Sequence, residues 1–157
     1  MKGIFIASAL VVATSAFSLH APIAKNTVQD AFDQGSRLIR CWDPVDMTKP
    51  NGEYFLSEPI YELCSYMPFP GSFSKFYVNG VSQDSDDYSA IMSMFAANDH
   101  HYATLNVCLQ EGFQFHAPGS PSQTSIRCLC KRDGCNIPKN FTTFLEFNQL
   151  PMPEGRF

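Results

Sequence analysis

No apolar run in this chain is long enough to cross a bilayer, which takes about 20 residues as a helix. A membrane-spanning helix is therefore excluded by length. Basic residues are also scarce: Lys and Arg number 11 against 15 Asp and Glu, for a net charge of −4. No basic stripe stands out, so neither nucleic acid nor an anionic membrane surface is an expected partner. Catalytic spacings are missing too. There is no Gly-x-Ser-x-Gly elbow and no His-Glu-x-x-His pair. His116 with Asp99 or Asp133 can be drawn as a dyad beside a serine, but nothing in the spacing selects one. Repeats and low-complexity tracts are absent, which argues against a structural extracellular component. The chain ends in Pro151-Met152-Pro153-Glu154-Gly155-Arg156-Phe157. That ending lacks the apolar tail, about 10–20 residues long, of a lipid-anchor signal, so no membrane anchor is expected.

What is present begins with an export signature. Lys2 supplies a positive start, Ile4 to Val12 a short apolar stretch, and Thr14-Ser15-Ala16 and Ala16-Phe17-Ser18 two acceptable cleavage patterns with small outer residues. Residues 1–18 are read as a signal peptide, which makes the protein secreted and extracellular. Removing 18 of 157 residues leaves 139, enough for one domain, and takes the net charge to −5. Residues 19–35 form a lead-in, 36–140 a cysteine-rich β domain, and 141–157 a C-terminal tail. With 14 Phe and 13 % aromatic residues, the chain is too rich in core-formers to be disordered.

Short strand-like runs occupy Arg37 to Trp42, Glu53 to Leu56, Ile60 to Tyr66 and Phe73 to Val78. Pro50-Asn51-Gly52 and Pro68-Phe69-Pro70-Gly71 separate them as turn or breaker segments. Ser82 to Asn98 breaks the pattern. Asp84 or Ser85 can cap it, and Tyr88, Ile91, Met92 and Phe95 recur at helical spacing, which predicts one amphipathic helix with that face buried. Tyr102 to Gln110 and Phe113 to His116 read as hairpin arms around Glu111-Gly112, and Thr124 to Lys131 as a further strand.

Three of the six cysteines fall within Cys128-Leu129-Cys130-Lys131-Arg132-Asp133-Gly134-Cys135, and Asn136 follows. In an exported chain such crowding indicates disulfides. Cys128 and Cys130 lie two apart on a strand, hence on one face, and are too close to pair with each other. Cys130 and Cys135 enclose four residues that include the turn-former pair Asp133-Gly134, which suits a small closed ring. The remaining pairings stay open on spacing alone. Zinc is the competing use, with Cys128, Cys130 and Cys135 joined by His100-His101 or His116. The spacing lacks the paired Cys-x-x-Cys knuckles of structural zinc sites, so no metal or other cofactor is expected.

The run from Cys130 through Asp133 to Cys135-Asn136 resembles the terminal signature of three-finger proteins. That group includes Ly6-type domains, snake neurotoxins and activin-type receptor ectodomains. The Cys-Leu-Cys spelling is also similar to small secreted nematode modules with an extra residue between these cysteines. The resemblance implies a small, mostly β, disulfide-stapled three-finger fold, here with one inserted amphipathic helix. It implies the bridges Cys130–Cys135, Cys108–Cys128 and Cys41–Cys64. It further implies that Asn136 ties the C-terminal loop to the first strand by side-chain hydrogen bonds, with Asp133 completing the signature. The chain departs from the family in having six cysteines rather than eight or more, a long Cys64 to Cys108 interval, and a tail after Asn136.

Asn140-Phe141-Thr142 is an acceptable N-glycosylation acceptor just past the domain, whereas Asn106-Val107-Cys108 is the rare cysteine form and is not expected to be used. Lys131-Arg132 resembles a dibasic processing site but is read as a solvated turn inside the small ring. Together these features predict a secreted, non-enzymatic domain that binds another extracellular protein or receptor. A secreted hydrolase of unrecognised type is the alternative.

Overall fold

A computed structural model describes residues 37–49, 52–85, 88–97, 102–113 and 123–149. Among these residues, six strands and two helices follow in the order β1 (Trp42–Pro44), β2 (Tyr54–Leu56), β3 (Leu63–Phe69), β4 (Ser72–Val81), α1 (Ser89–Ala96), β5 (Asn106–Phe113), β6 (Gln123–Cys130) and α2 (Phe141–Gln149). This is a small, mostly β, disulfide-rich domain. Each successive strand pair is antiparallel: β1 with β2, β3 with β4, and β5 with β6. β3 also pairs with β6, giving a four-stranded sheet in the order β4-β3-β6-β5 beside the two-stranded sheet β1-β2.

The alternation of side chains assigns the two faces of the larger sheet. Leu63, Val81 and Leu129 are buried on one face, where Phe95 of α1 covers them with Tyr88, Ile91, Met92 and Val107. The face predicted for α1 is thus the face that packs, although the helix starts at Ser89, later than expected, and its N-cap Tyr88 makes no side-chain cap hydrogen bond. Arg127 holds the entry to this helix, its guanidinium 5.0 Å from the centroid of the Tyr88 ring.

The opposite face buries Tyr66, Phe76, Val78 and Cys128 against Phe144 of α2. Tyr66 is the centre of an aromatic stack, with ring centroids 4.1 Å from Phe144 and 5.6 Å from Phe76. Its hydroxyl donates to the Lys139 carbonyl at 2.8 Å. Burial pushes that phenol's pKa well above its ordinary value. Stacked or tilted aromatic pairs of this kind add about 0.5–1.5 kcal/mol each beyond the area they bury.

Two expectations need correction here. Residues 141–149, expected within a C-terminal tail, form α2, and its Phe144 is fully buried. The folded unit therefore extends past residue 140. Asn140 caps this helix: its Oδ1 accepts the Thr143 amide at 2.9 Å. Glu111-Gly112 is not a turn. Both residues lie within β5, opposite Ser125 and Thr124, and Glu111 meets Arg127 across the strands at 2.6 Å. Cross-strand charge pairing of this kind favours extended pairing over a bend. The Pro70-Gly71 step is instead the two-residue link of the β3–β4 hairpin, with Gly71 at φ 76°, a left-handed conformation suited to glycine. Expectations for the signal peptide, the 19–35 lead-in, His100-His101 and His116 fall outside the described residues.

Candidate functional site

Both register rows that carry cysteines lie on the face of the sheet opposite α1. Cys64 stands directly across from Cys130, and Cys128 across from both Tyr66 and Cys108. Cys128 and Cys130 thus share a face, as a two-residue strand spacing requires. The bonds formed are Cys41–Cys64, Cys108–Cys128 and Cys130–Cys135. All six cysteines are paired, so none remains as a zinc thiolate. Among the described residues no group of three or more His, Cys, Asp or Glu is placed to hold a metal. In the chain-entropy account, the two bridges separated by 23 and 20 residues contribute about 3 kcal/mol each, and the small ring less.

Cys41, Cys64, Cys130 and Cys135 are fully buried with Ile39, and Tyr61 packs against them. This sulfur-rich cluster is the base of the domain. Residues 39–42 run through it as an extended segment with hydrogen-bonding groups on both edges. One edge meets Tyr61 and Ser57: Ile39 exchanges two backbone bonds with Tyr61, and the Cys41 carbonyl accepts the Ser57 amide at 2.9 Å. The Cys41 amide donates to Ser57 Oγ at 3.0 Å. The other edge is paired by the Cys130–Cys135 ring and the residue after it. Asp133 Oδ1 accepts the Arg40 amide at 2.9 Å, and the Gly134 amide donates to the Arg40 carbonyl at 2.7 Å. Two residues on, Asn136 does the same for Trp42: Oδ1 accepts its amide and Nδ2 donates to its carbonyl, both at 2.9 Å.

Asp133 and Asn136 therefore use side-chain groups where a neighbouring strand would use its backbone. The loop's backbone supplies one of these four groups, the amide of Gly134, which sits at φ 61° in the turn. Asn136 reaches further. It is fully buried, and Nδ2 also faces the carbonyls of Ser65 at 3.1 Å and Asn79 at 3.3 Å. One side chain thus joins the first strand, β3 and β4. Asp133 is additionally 3.6 Å from the exposed Arg37 guanidinium.

Several contributors were not evident from sequence. Asp43 is buried, with Oδ1 accepting the Gly80 amide at 2.7 Å and Oδ2 accepting the Tyr61 hydroxyl at 2.6 Å. That hydrogen bond, then burial and the nearby negative charge, pushes the Tyr61 phenol up to about 12. A Cβ at Gly80 would lie 2.1 Å from Tyr61 Cδ2, so only glycine lets the ring lie flat on β4. Arg132 is also not a solvated turn residue. It is 1 % exposed, and its Nη2 lies 3.4 Å from both the carbonyl and Oδ1 of Asn148 on α2. Asn148 in turn donates to the Cys135 carbonyl at 2.9 Å. Its neighbour Lys131 pairs with Glu62 at 3.4 Å.

Asn140 stands exposed at the start of α2, with Thr142 exposed beside it. Asn106, the other sequon asparagine, lies in β5, and its partner position Cys108 is consumed by a disulfide.

No solved structure matches the chain. An uncharacterized Caenorhabditis elegans protein, C02B8.3, is 57 % identical over 132 residues, which cover 84 % of this chain and 99 % of the relative. A second uncharacterized protein of that nematode, C02B8.7, is 47 % identical over 49 residues, or 31 % of this chain and 94 % of the relative. The described residues, with their cysteine base and both helices, lie within the stretch from 26 to 149 over which the chain belongs to a family of unknown function, DUF5354.

Proposed function

We propose that this protein is a secreted, non-enzymatic binding domain of three-finger type that engages another extracellular protein through the end of its β1–β2 hairpin. The observation that carries the reading is the apolar character of that end. Val45 and Met47 are 64 % and 76 % exposed, and Phe55 on the facing strand is 49 % exposed. Asp43 and Phe55 are register partners, so Val45, two residues on, shares a face with Phe55. Large apolar side chains grouped at a solvent-facing end are the composition of an interaction surface. Beside them lies an open concavity of about 560 Å³ lined by Val45, Asp46, Lys49, Gly52 and Glu53. Asp46 and Lys49 form an ion pair at 3.1 Å, which gives the apolar patch a charged rim.

Two further features support the reading. Three successive antiparallel strand pairs spring from one disulfide base, the organisation of a three-finger domain. Disulfides persist in oxidising compartments, which fits an exported protein. A rigid base that holds a hairpin end outward suits recognition, because less ordering remains to be done on binding.

The test is a binding screen of the secreted protein against a panel of nematode extracellular domains. The expected result is a saturable partner whose affinity falls at least tenfold with Met47→Asp combined with Val45→Asp, at an unchanged melting temperature. A partner that binds both proteins equally would refute the surface. Turnover of peptide, ester or glycoside substrates by the pure protein would favour the hydrolase alternative instead.

A further inference from the structure

A second exposed apolar group lies away from that hairpin. Phe73 is 62 % exposed near the start of β4, yet its ring stacks on Phe141 at 5.5 Å, so it is held in place and not free to turn inward. It lines an open concavity of about 400 Å³ together with Ser74, Asn140, Thr142, Thr143 and Glu146. The concavity is therefore lined by an aromatic ring together with the asparagine and threonine of the sequon.

We infer that Asn140 carries an N-linked glycan and that the first sugar of this glycan covers the Phe73 ring. The inference rests on export of the chain, because the sugar donor is a polyprenyl-diphosphate-linked oligosaccharide met on that route. The Asn140 Nδ2 displaces the diphosphate from the anomeric carbon. An N–C bond forms, the C–O bond to the diphosphate breaks, the polyprenyl diphosphate leaves, and one Nδ2 proton is released.

The geometry accommodates the product. Asn140 caps α2 through Oδ1, which accepts the Thr143 amide, and its backbone carbonyl accepts the Phe144 amide at 3.0 Å. Both are acceptor roles of oxygen, and glycosylation consumes only a proton on nitrogen. The modified residue still caps the helix. The cap also fixes the side chain against the concavity it lines, so the attached sugar has little freedom to leave it. One face of a pyranose is a patch of C–H groups, which suits an aromatic ring, while its hydroxyls find Ser74, Thr143 and Glu146 nearby. Covering Phe73 in this way removes an apolar surface that would otherwise invite self-association.

The test uses the full chain secreted from a eukaryotic cell line, alongside Thr142→Ala and Phe73→Ser. Thr142 is exposed on α2, and alanine is the strongest helix former, so the first variant loses the sequon while keeping Asn140 and its cap. Treatment with peptide N-glycosidase should lower the mass of the parent and of Phe73→Ser, and leave Thr142→Ala unchanged. The enzyme converts Asn140 to Asp, which still caps, and the added charge is common to the parent and Phe73→Ser, so the difference between their melting shifts reports the sugar–ring contact. Deglycosylation should lower the melting temperature of the parent and leave that of Phe73→Ser unchanged. A secreted parent with unmodified Asn140 would overturn the inference and leave export standing. A chain retained in the cell with its leader intact would overturn both. Equal melting shifts in the parent and Phe73→Ser would refute the sugar–ring contact.

Discussion

Replacing Asn136 by alanine tests the base of the domain most directly. The side chain is fully buried and offers one acceptor and two protons. It makes the two 2.9 Å bonds to Trp42, and its second proton is shared between Ser65 and Asn79. That amounts to three hydrogen bonds. At about 1 kcal/mol each their loss costs about 3 kcal/mol, and the Trp42 amide left without its acceptor keeps the figure from falling lower. For a domain of this size about 3 kcal/mol lowers the melting temperature by roughly 10 °C. With total stability in the range of about 5–15 kcal/mol, the yield of folded protein should drop as well. Circular dichroism melts under non-reducing conditions provide the measurement, since the disulfides must stay intact for the comparison. Asn136→Asp sharpens the test. It keeps the acceptor for Trp42 but sets a carboxylate against three carbonyl oxygens, so its native pKa rises above the unfolded value of about 3.9. The acid form is the one the native site favours. The variant should therefore be least destabilised below about pH 4 and lose stability as pH rises through the native pKa. If Asn136→Ala melts within about 2 °C of the parent, the idea that this amide substitutes for a strand neighbour is wrong.

Other outcomes follow from the same base. Tyr61 is neutral when bonded to Asp43, with a pKa raised to about 12, so its contribution is fully present below about pH 10 and is lost as pH climbs through 12. Tyr61→Phe should flatten that part of an alkaline stability profile, and an unchanged slope would count against the Asp43 bond. Gly80→Ala should cost about 1–3 kcal/mol by forcing the Tyr61 ring off β4, and a neutral result in chemical denaturation would contradict the close approach. Peptide mapping of the unreduced protein should recover Cys41–Cys64, Cys108–Cys128 and Cys130–Cys135 with no free thiol, and a Cys41–Cys135 peptide would overturn the framework.

What could be read from sequence was local or carried by a compact signature. The Cys130–Cys135 ring spans few residues, and the Asn136 role belongs to a motif whose parts are adjacent. The α1 face was legible because Tyr88, Ile91, Met92 and Phe95 hold helical spacing without a break. Glu111-Gly112 misled because glycine beside a charge suggests a turn, and the partner that keeps it extended, Arg127, lies on another strand. The helix α2 does carry a sequence signal, with Asn140 as a cap, then Phe141, Phe144 and Leu145 at i, i+3 and i+4. Arg132 depends on that helix, since a buried guanidinium makes sense only once Asn148 stands beside it. Asp43 gave no signal, because its partners Tyr61 and Gly80 become neighbours only through tertiary pairing.

The pairing of residues 40–42 with residues 133–136 has a consequence for how the chain is made. The contacts span 93 and 94 positions, so they join nearly the first and last parts of the folded unit. A ribosome delivers Arg40 and Trp42 long before Asp133 and Asn136 emerge. Until then one edge of the first strand has no permanent partner, even if Cys41 and Cys64 have already joined. Long-range closures of this kind form slowly and leave strand edges open to other chains meanwhile. A chain truncated before Asn136 would leave its own beginning unfinished, with the Trp42 amide and carbonyl on that edge unpaired.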